Sequence, residues 1–158
     1  SYALPGIVIA LALVFFGVRV ATPIYQTLVL LVLAYVIRFL PQAVGSARSS
    51  LMQVNPHLME AARGLGRSPG QAFARISVPL IWPGLLAGGA LVLLTAMKEL
   101  PITLLLAPIG FRTLATGVWT GTAEGFYAAA SIPALLLIVI SAVPLFVLTS
   151  HREATRRE

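Results

Sequence analysis

Few side chains here are suited to proton, metal or phosphate chemistry. The sequence has no Cys and no Asp, His occurs only as His57 and His151, and Lys98 is the single lysine. With five Glu as the only acids, neither a dedicated metal site nor a Ser-His-Asp triad has its residues. Disulfides and thiolate chemistry are excluded with the cysteines. A phosphate-binding loop ends in Gly-Lys-Ser/Thr, whereas Lys98 stands between Met97 and Glu99. Ser131, in an Ala-rich stretch, reads as a packing residue rather than a nucleophile. The chain is expected to bind no cofactor and to be no enzyme, so any energy must come from another chain.

Two groups of polar residues remain. The first is Lys98-Glu99, followed at once by Pro101 and Thr103. Charges at the end of an apolar run are costly unless paired or wet, so the pair marks either a transport pathway or a structural clamp. Adjacent residues on a helix do not face each other, and each needs its own partner. A break beside Pro101 would free backbone groups at membrane depth, which transporters tolerate where they line a cavity. Thr103, Thr113 and Thr116 could hydrogen-bond there, or back-bond locally to their own helix.

The second group is the Arg-bearing island Asn55 to Pro83. Asn55-Pro56 and Ser68-Pro69-Gly70-Gln71 are two helix starts 13 residues apart, the second a capping box. Gly64 and Gly66 supply the backbone freedom, including positive φ, for a sharp turn between them. Leu58, Ala62 and Leu65 share a face of the first helix, which therefore needs a partner. Glu60 could be no more than a first-turn acid favoured by the helix dipole.

These groups must be positioned by membrane helices. The chain is 58% apolar and 10% charged, with a mean hydropathy of +0.93, too apolar for a soluble domain of this size. Apolar runs predict spans over Tyr2–Val18, Ile24–Leu40 (broken near its end by Pro41), about Ile81–Met97 and Phe126–Thr149. Gly84, Gly88 and Gly89 would allow close helix packing in the third. Leu100–Ala107 is too short to cross and reads as a broken or re-entrant element, with a short helix expected near Leu114–Thr120. Trp82, Trp119 and Tyr127 fall near span boundaries, where amphipathic rings ordinarily sit. The fold expected is all-α and polytopic, about four spans with a polar loop over 41–80 and a solvated tail over 150–158. The start at Ser1, inside an apolar run, suggests the C-terminal part of something longer.

The net charge of +6 does not point to nucleic acid, because the Arg residues fall between spans rather than on a basic surface with stacking aromatics. Arg38, Arg48, Arg63, Arg67, Arg75, Arg152, Arg156 and Arg157 lie on one side, against Arg19, Lys98 and Arg112 on the other. The positive-inside rule puts the loop and the C-terminus in the cytoplasm.

Glu60-Ala61-Ala62, three residues, Gly66, nine residues, then Ile76-Ser77-Val78-Pro79 resembles the EAA loop of ABC-importer permeases, with Val78 in place of Leu. Lys98-Glu99-Leu100-Pro101-Ile102-Thr103-Leu104-Leu105-Leu106, Pro108-Ile109-Gly110-Phe111 and Thr113-Leu114-Ala115 resemble the ferric-iron group of that family. Ala107 stands where many ferric-type members carry Arg. Permeases for thiamine, phosphonates, polyamines and sulfate share parts of the pattern. The resemblance implies a type I importer permease core in the bacterial inner membrane. It implies ABC ATPase subunits that use the ATP and dock on the first loop helix, Asn55 to Gly66, with Leu58, Glu60, Ala61, Ala62, Leu65, Gly66, Ile76 and Pro79 as the coupling residues of the loop. It also implies a periplasmic or lipoprotein substrate-binding protein, a second permease half (identical or fused) and membrane lipid. Lys98, Glu99, Pro101 and Thr103 are then candidates for the pathway. An intramembrane enzyme would need convergent ionisable residues, and a scaffold would not need the EAA spacing.

Overall fold

Leu, Val, Ile and Phe dominate the sequence between loops, and in the computed structural model, which describes residues 5–154 and side-chain surroundings for 5–142, every regular element among the described residues is helical. In order these are α1 (Gly6–Arg19), a 3-10 turn (Thr22–Ile24), α2 (Leu28–Met52), α3 (Pro56–Gly64), α4 (Pro69–Ala72), a π-helical turn (Phe73–Ser77), α5 (Val78–Met97), α6 (Pro101–Leu106), α7 (Leu114–Ala123) and α8 (Tyr127–Ala154). The expected start of the first span at Tyr2 and the tail residues 155–158 lie outside the described residues, as do the side chains of Pro144 and His151. Residues 150–154 of the expected tail continue α8. The short element after Leu100 and the helix beginning at Leu114 lie where expected, the latter running three residues further, to Ala123.

Two boundaries differ from the sequence reading. Pro41 does not end the second span, because α2 continues through it to Met52. A proline removes one backbone bond and crowds the carbonyl four residues back, but the helix beyond it is held by the packing of Ser46 and Ser50 on Gly88 and Gly84. The third span does not begin at Ile81: helix runs from Pro69 through the π turn to Met97, as one apolar stretch of 29 residues. The loop expected over 41–80 is therefore mostly helix. At 1.5 Å per residue α2 is about 38 Å long, more than the roughly 30 Å of a bilayer's hydrocarbon core.

The chain forms two compact units, one of the residues up to Pro41 and from Leu93 onward, the other Gln42–Val92. The core of the first is built by Ala10 of α1, Leu30, Leu31 and Ala34 of α2, and Ile102 and Leu106 of α6. Gly125, at φ +79°, turns the chain from α7 into α8. These two helices approach so closely that a Cβ on Gly121 would lie 2.8 Å from that of Ala130. Ile7, Leu11, Phe15, Val29, Val32, Leu135 and Val139 are exposed, as lipid-facing positions should be.

In the second unit the end of α2 packs on the start of α5. Ser50 faces Gly84 and Ser46 faces Gly88, so closely that a Cβ on either glycine would overlap the serine. Gly89, also a candidate for close packing, faces open space. The serine hydroxyls donate to the Gln42 and Ser46 carbonyls, each at 3.0 Å, so the contact strands no polar atom. Where lipid is as apolar as leucine, such close contact is what joins helices. Gly88→Ala is expected to destabilise the purified protein by about 1–3 kcal/mol, the usual effect of overpacking, with Ser46→Gly in the same chain restoring most of it. An unchanged melting temperature in the single variant would show that the helices do not meet there.

Candidate functional site

The loop between α2 and α5 is shaped by its caps. Asn55 accepts a hydrogen bond from the His57 amide at 3.0 Å and Pro56 takes the first helical position. His57 Nδ1 and Glu60 Oε2 lie 3.2 Å apart on the exposed surface of the first turn. At the other end Leu65 caps α3 and Gly66 turns to φ +82°. The Gly66 amide donates to Arg63 O at 3.0 Å and the Arg67 amide to Ala62 O at 3.2 Å. These two bonds form a Schellman motif, which requires a left-handed residue at Gly66. Gly64, the other glycine expected to give the turn its freedom, is an ordinary helical residue. Ser68 and Gln71 then form the expected capping box on α4.

After α4 the helix widens into the π turn Phe73–Ser77, with the Val78 amide bonded to Phe73 O. Pro79 has no N–H to give Arg75 O, and its ring crowds that carbonyl, so a wider turn just before it relieves both problems. The Ile76 to Pro79 part of the motif thus bends the chain into α5.

α3 folds back on this segment. Ala62 is only 6% exposed, and Ala72 and Ser77 are buried too, while the Ser77 hydroxyl donates to the Met59 sulfur at 3.3 Å. Ala62 therefore does not belong to an outward docking face, as its spacing with Leu58 and Leu65 suggested. Leu58 is 45% and Leu65 85% exposed, and Ala61 is exposed beside them. The outward apolar strip is Leu58, Ala61 and Leu65, flanked by exposed Glu60, Arg63 and Arg67, while Ala62 points inward to hold the fold.

The other candidate residues lie in the first unit. α5 ends at Met97, tightening through amide bonds from Lys98 to Thr95 O and Glu99 to Ala96 O. Pro101 opens α6, where its missing N–H has no intrahelical partner to lose. Thr103 is 0% exposed. Its hydroxyl donates to Glu99 O at 2.8 Å and shares a hydrogen bond with the Tyr35 hydroxyl. Thr113 and Thr116 form a reciprocal capping box at the start of α7, so local bonds satisfy these threonines, while Thr103 and Thr116 also line a cavity.

Glu99 and Lys98 diverge. Glu99 Oε1 is buried without a hydrogen-bond partner among the described residues, against α1, where a Cβ on Gly6 would lie 2.5 Å away. Of the four candidate pathway residues only Lys98 is exposed. The cavity lined by Thr103 and Thr116, of about 610 Å³ between α6, α7 and α8, is also lined by Arg112, Thr120 and Glu124. Tyr35 and Gly6 carry no sequence signal that separates them from the apolar runs around them.

Over residues 1–156 the chain matches the family described as binding-protein-dependent transport system inner membrane component. It is 41% identical over 150 residues to the Fe(3+)-transport system permease protein FbpB 2 of Haemophilus influenzae, covering 95% of this chain and 30% of that protein. It is 45% identical over 69 residues to the spermidine/putrescine transport system permease protein PotB of Escherichia coli, covering 44% of this chain and 24% of that one. PhnU of Salmonella typhimurium, provisionally named a 2-aminoethylphosphonate transport system permease protein, is 32% identical over 111 residues, covering 70% of this chain and 39% of its own. The chain thus spans well under half the length of these relatives. With its capped EAA-type loop set between membrane-length helices, and a match over all but its last two residues, the chain belongs to the binding-protein-dependent transport system inner membrane components, a family of transport permeases.

Proposed function

We propose that this chain is the ATPase-coupled portion of the permease in an ATP-driven importer. The observation that carries this is α3: a short helix fixed at both ends, folded on its own connection, and presenting Leu58, Ala61 and Leu65 outward amid charge. An apolar strip rimmed by charged residues is the anatomy of a protein-docking surface, and the sequence has no nucleotide loop of its own. The ATPase partner binds and hydrolyses ATP, and its closure moves α3 as a lever. The helices then rock about the pathway in alternating access.

The excess of arginine on the loop and C-terminal side orients both to the cytoplasm. The opposite face receives cargo from a binding protein, and a second permease half completes the pathway. The 41% identity with an Fe(3+)-transport permease, over 95% of this chain, favours ferric iron as cargo. A phosphonate is the second reading, favoured by the likeness to PhnU over 70% of the chain.

The docking surface is tested by retention of the ATPase on the immobilised permease. Leu65→Glu is expected to lower retention about tenfold, as for a central interface residue, with the melting temperature unchanged. Ala62→Glu is expected to lower the melting temperature as well, because it buries a charge. Full retention by Leu65→Glu at low protein concentration would contradict the assignment. Gly66→Val should keep the ATPase bound yet uncouple uptake from hydrolysis, since it strains the Schellman turn by about 1–3 kcal/mol and misaims α3. Unimpaired uptake per ATP would show that the turn needs no glycine.

A further inference from the structure

Lys98 is the lone exposed charge among the candidate pathway residues, and no hydrogen bond or ion pair engages its ammonium among the described residues. It stands between two grooves of the first unit. One, of about 360 Å³, is lined by Leu94, Lys98, Leu137, Ile138, Ser141 and Ala142. The other, of about 330 Å³, shares Lys98, Leu137 and Ile138 and is otherwise apolar. Ser141 Oγ is buried and also has no hydrogen-bond partner among the described residues. An ammonium and a hydroxyl thus line the same apolar groove, neither with a hydrogen-bond partner among the described residues.

Ser141 lies halfway along α8, whose 28 residues extend about 42 Å. A cation in an apolar groove needs an anionic partner or a wet cavity. An ammonium and a hydroxyl together match an oxyanion, and hydrogen bonds between charged groups are the strong ones. The same ammonium repels a bare metal cation or a polyamine.

We infer that Lys98 and Ser141 form an oxyanion seat that contacts the cargo, so that the permease accepts solutes presenting a phosphonate, phosphate or carboxylate group, a metal ion included only when carried in such a complex. This rests on the importer reading and deepens it by naming the substrate class. Glu99, turned to α1, has no part in the seat.

The test is inorganic phosphate binding to the whole transporter in nanodiscs of zwitterionic lipid, at fixed ionic strength, followed by the line width of the phosphorus resonance. Wild type should bind, Lys98→Met should weaken binding about tenfold or more, and Ser141→Ala by a smaller factor of about three. Binding that needs added anionic lipid would assign the seat to a headgroup and overturn the proposal. Loss of the assembled permease in Lys98→Met would overturn it too, assigning the ammonium to a carboxylate of the second permease half. Equal phosphate binding by wild type and both variants, or none by wild type, would also contradict it. In each case copurification of the ATPase is read separately, so the seat and the importer reading fail independently.

Discussion

A backbone amide or carbonyl within a bilayer has no water to turn to, so each helix must satisfy its own polar groups and each interruption must be closed by a local device. The breaks beside the spans follow that constraint, and the exposed loop between α2 and α5 uses the same local devices. Asn55 and the Schellman turn at Gly66 close the two ends of α3, and the box of Ser68 and Gln71 opens α4. A π turn absorbs Pro79, Pro101 occupies a first helical position, and Thr113 with Thr116 caps α7. Of the EAA-type residues, Gly66 takes part in this closure. Gly66 is needed for its φ, and Ala62 for a side chain small enough to pack beneath α3.

Caps were legible in the sequence because they are local: Asn-Pro, Ser-Pro-x-Gln and Gly after a short amphipathic run each act within four residues. The short α6 was legible too, since a six-residue apolar helix between prolines cannot cross a membrane. What escaped reading was set by distant contacts. Pro41 reads as a stop, yet the helix beyond it is held by Ser46 and Ser50 against Gly88 and Gly84, partners more than 30 residues away. Ala62 shares a helical face with Leu58 and Leu65 by spacing alone, but 40° of rotation separates it from Leu58 at 100° per residue, enough for the return of Ala72 and Ser77 to bury it. The threonines offered two readings, and nothing local chose between them.

Lys98 and Glu99 show the same limit at a finer scale. Successive positions on a helix point in different directions, so neighbours of opposite charge can serve different ends. Glu99 leans on α1, where Gly6 leaves space for it, while Lys98 opens onto grooves beside α7 and α8. Composition alone suggested a pair. The structure separates them.

The central claim is that α3 is prefolded by its own caps and packing and presents one strip to an ATPase. Amide hydrogen exchange of residues 56–80 in the purified permease, measured with the ATPase bound and after its removal, tests this most directly. The account predicts that the Gly66, Arg67 and Ala72 amides, bonded within the chain, stay protected without the ATPase, while opening of α3 slows when the ATPase is bound. Full exchange across the segment after removal, with protection only in the complex, would show that the partner folds the loop and would contradict the account.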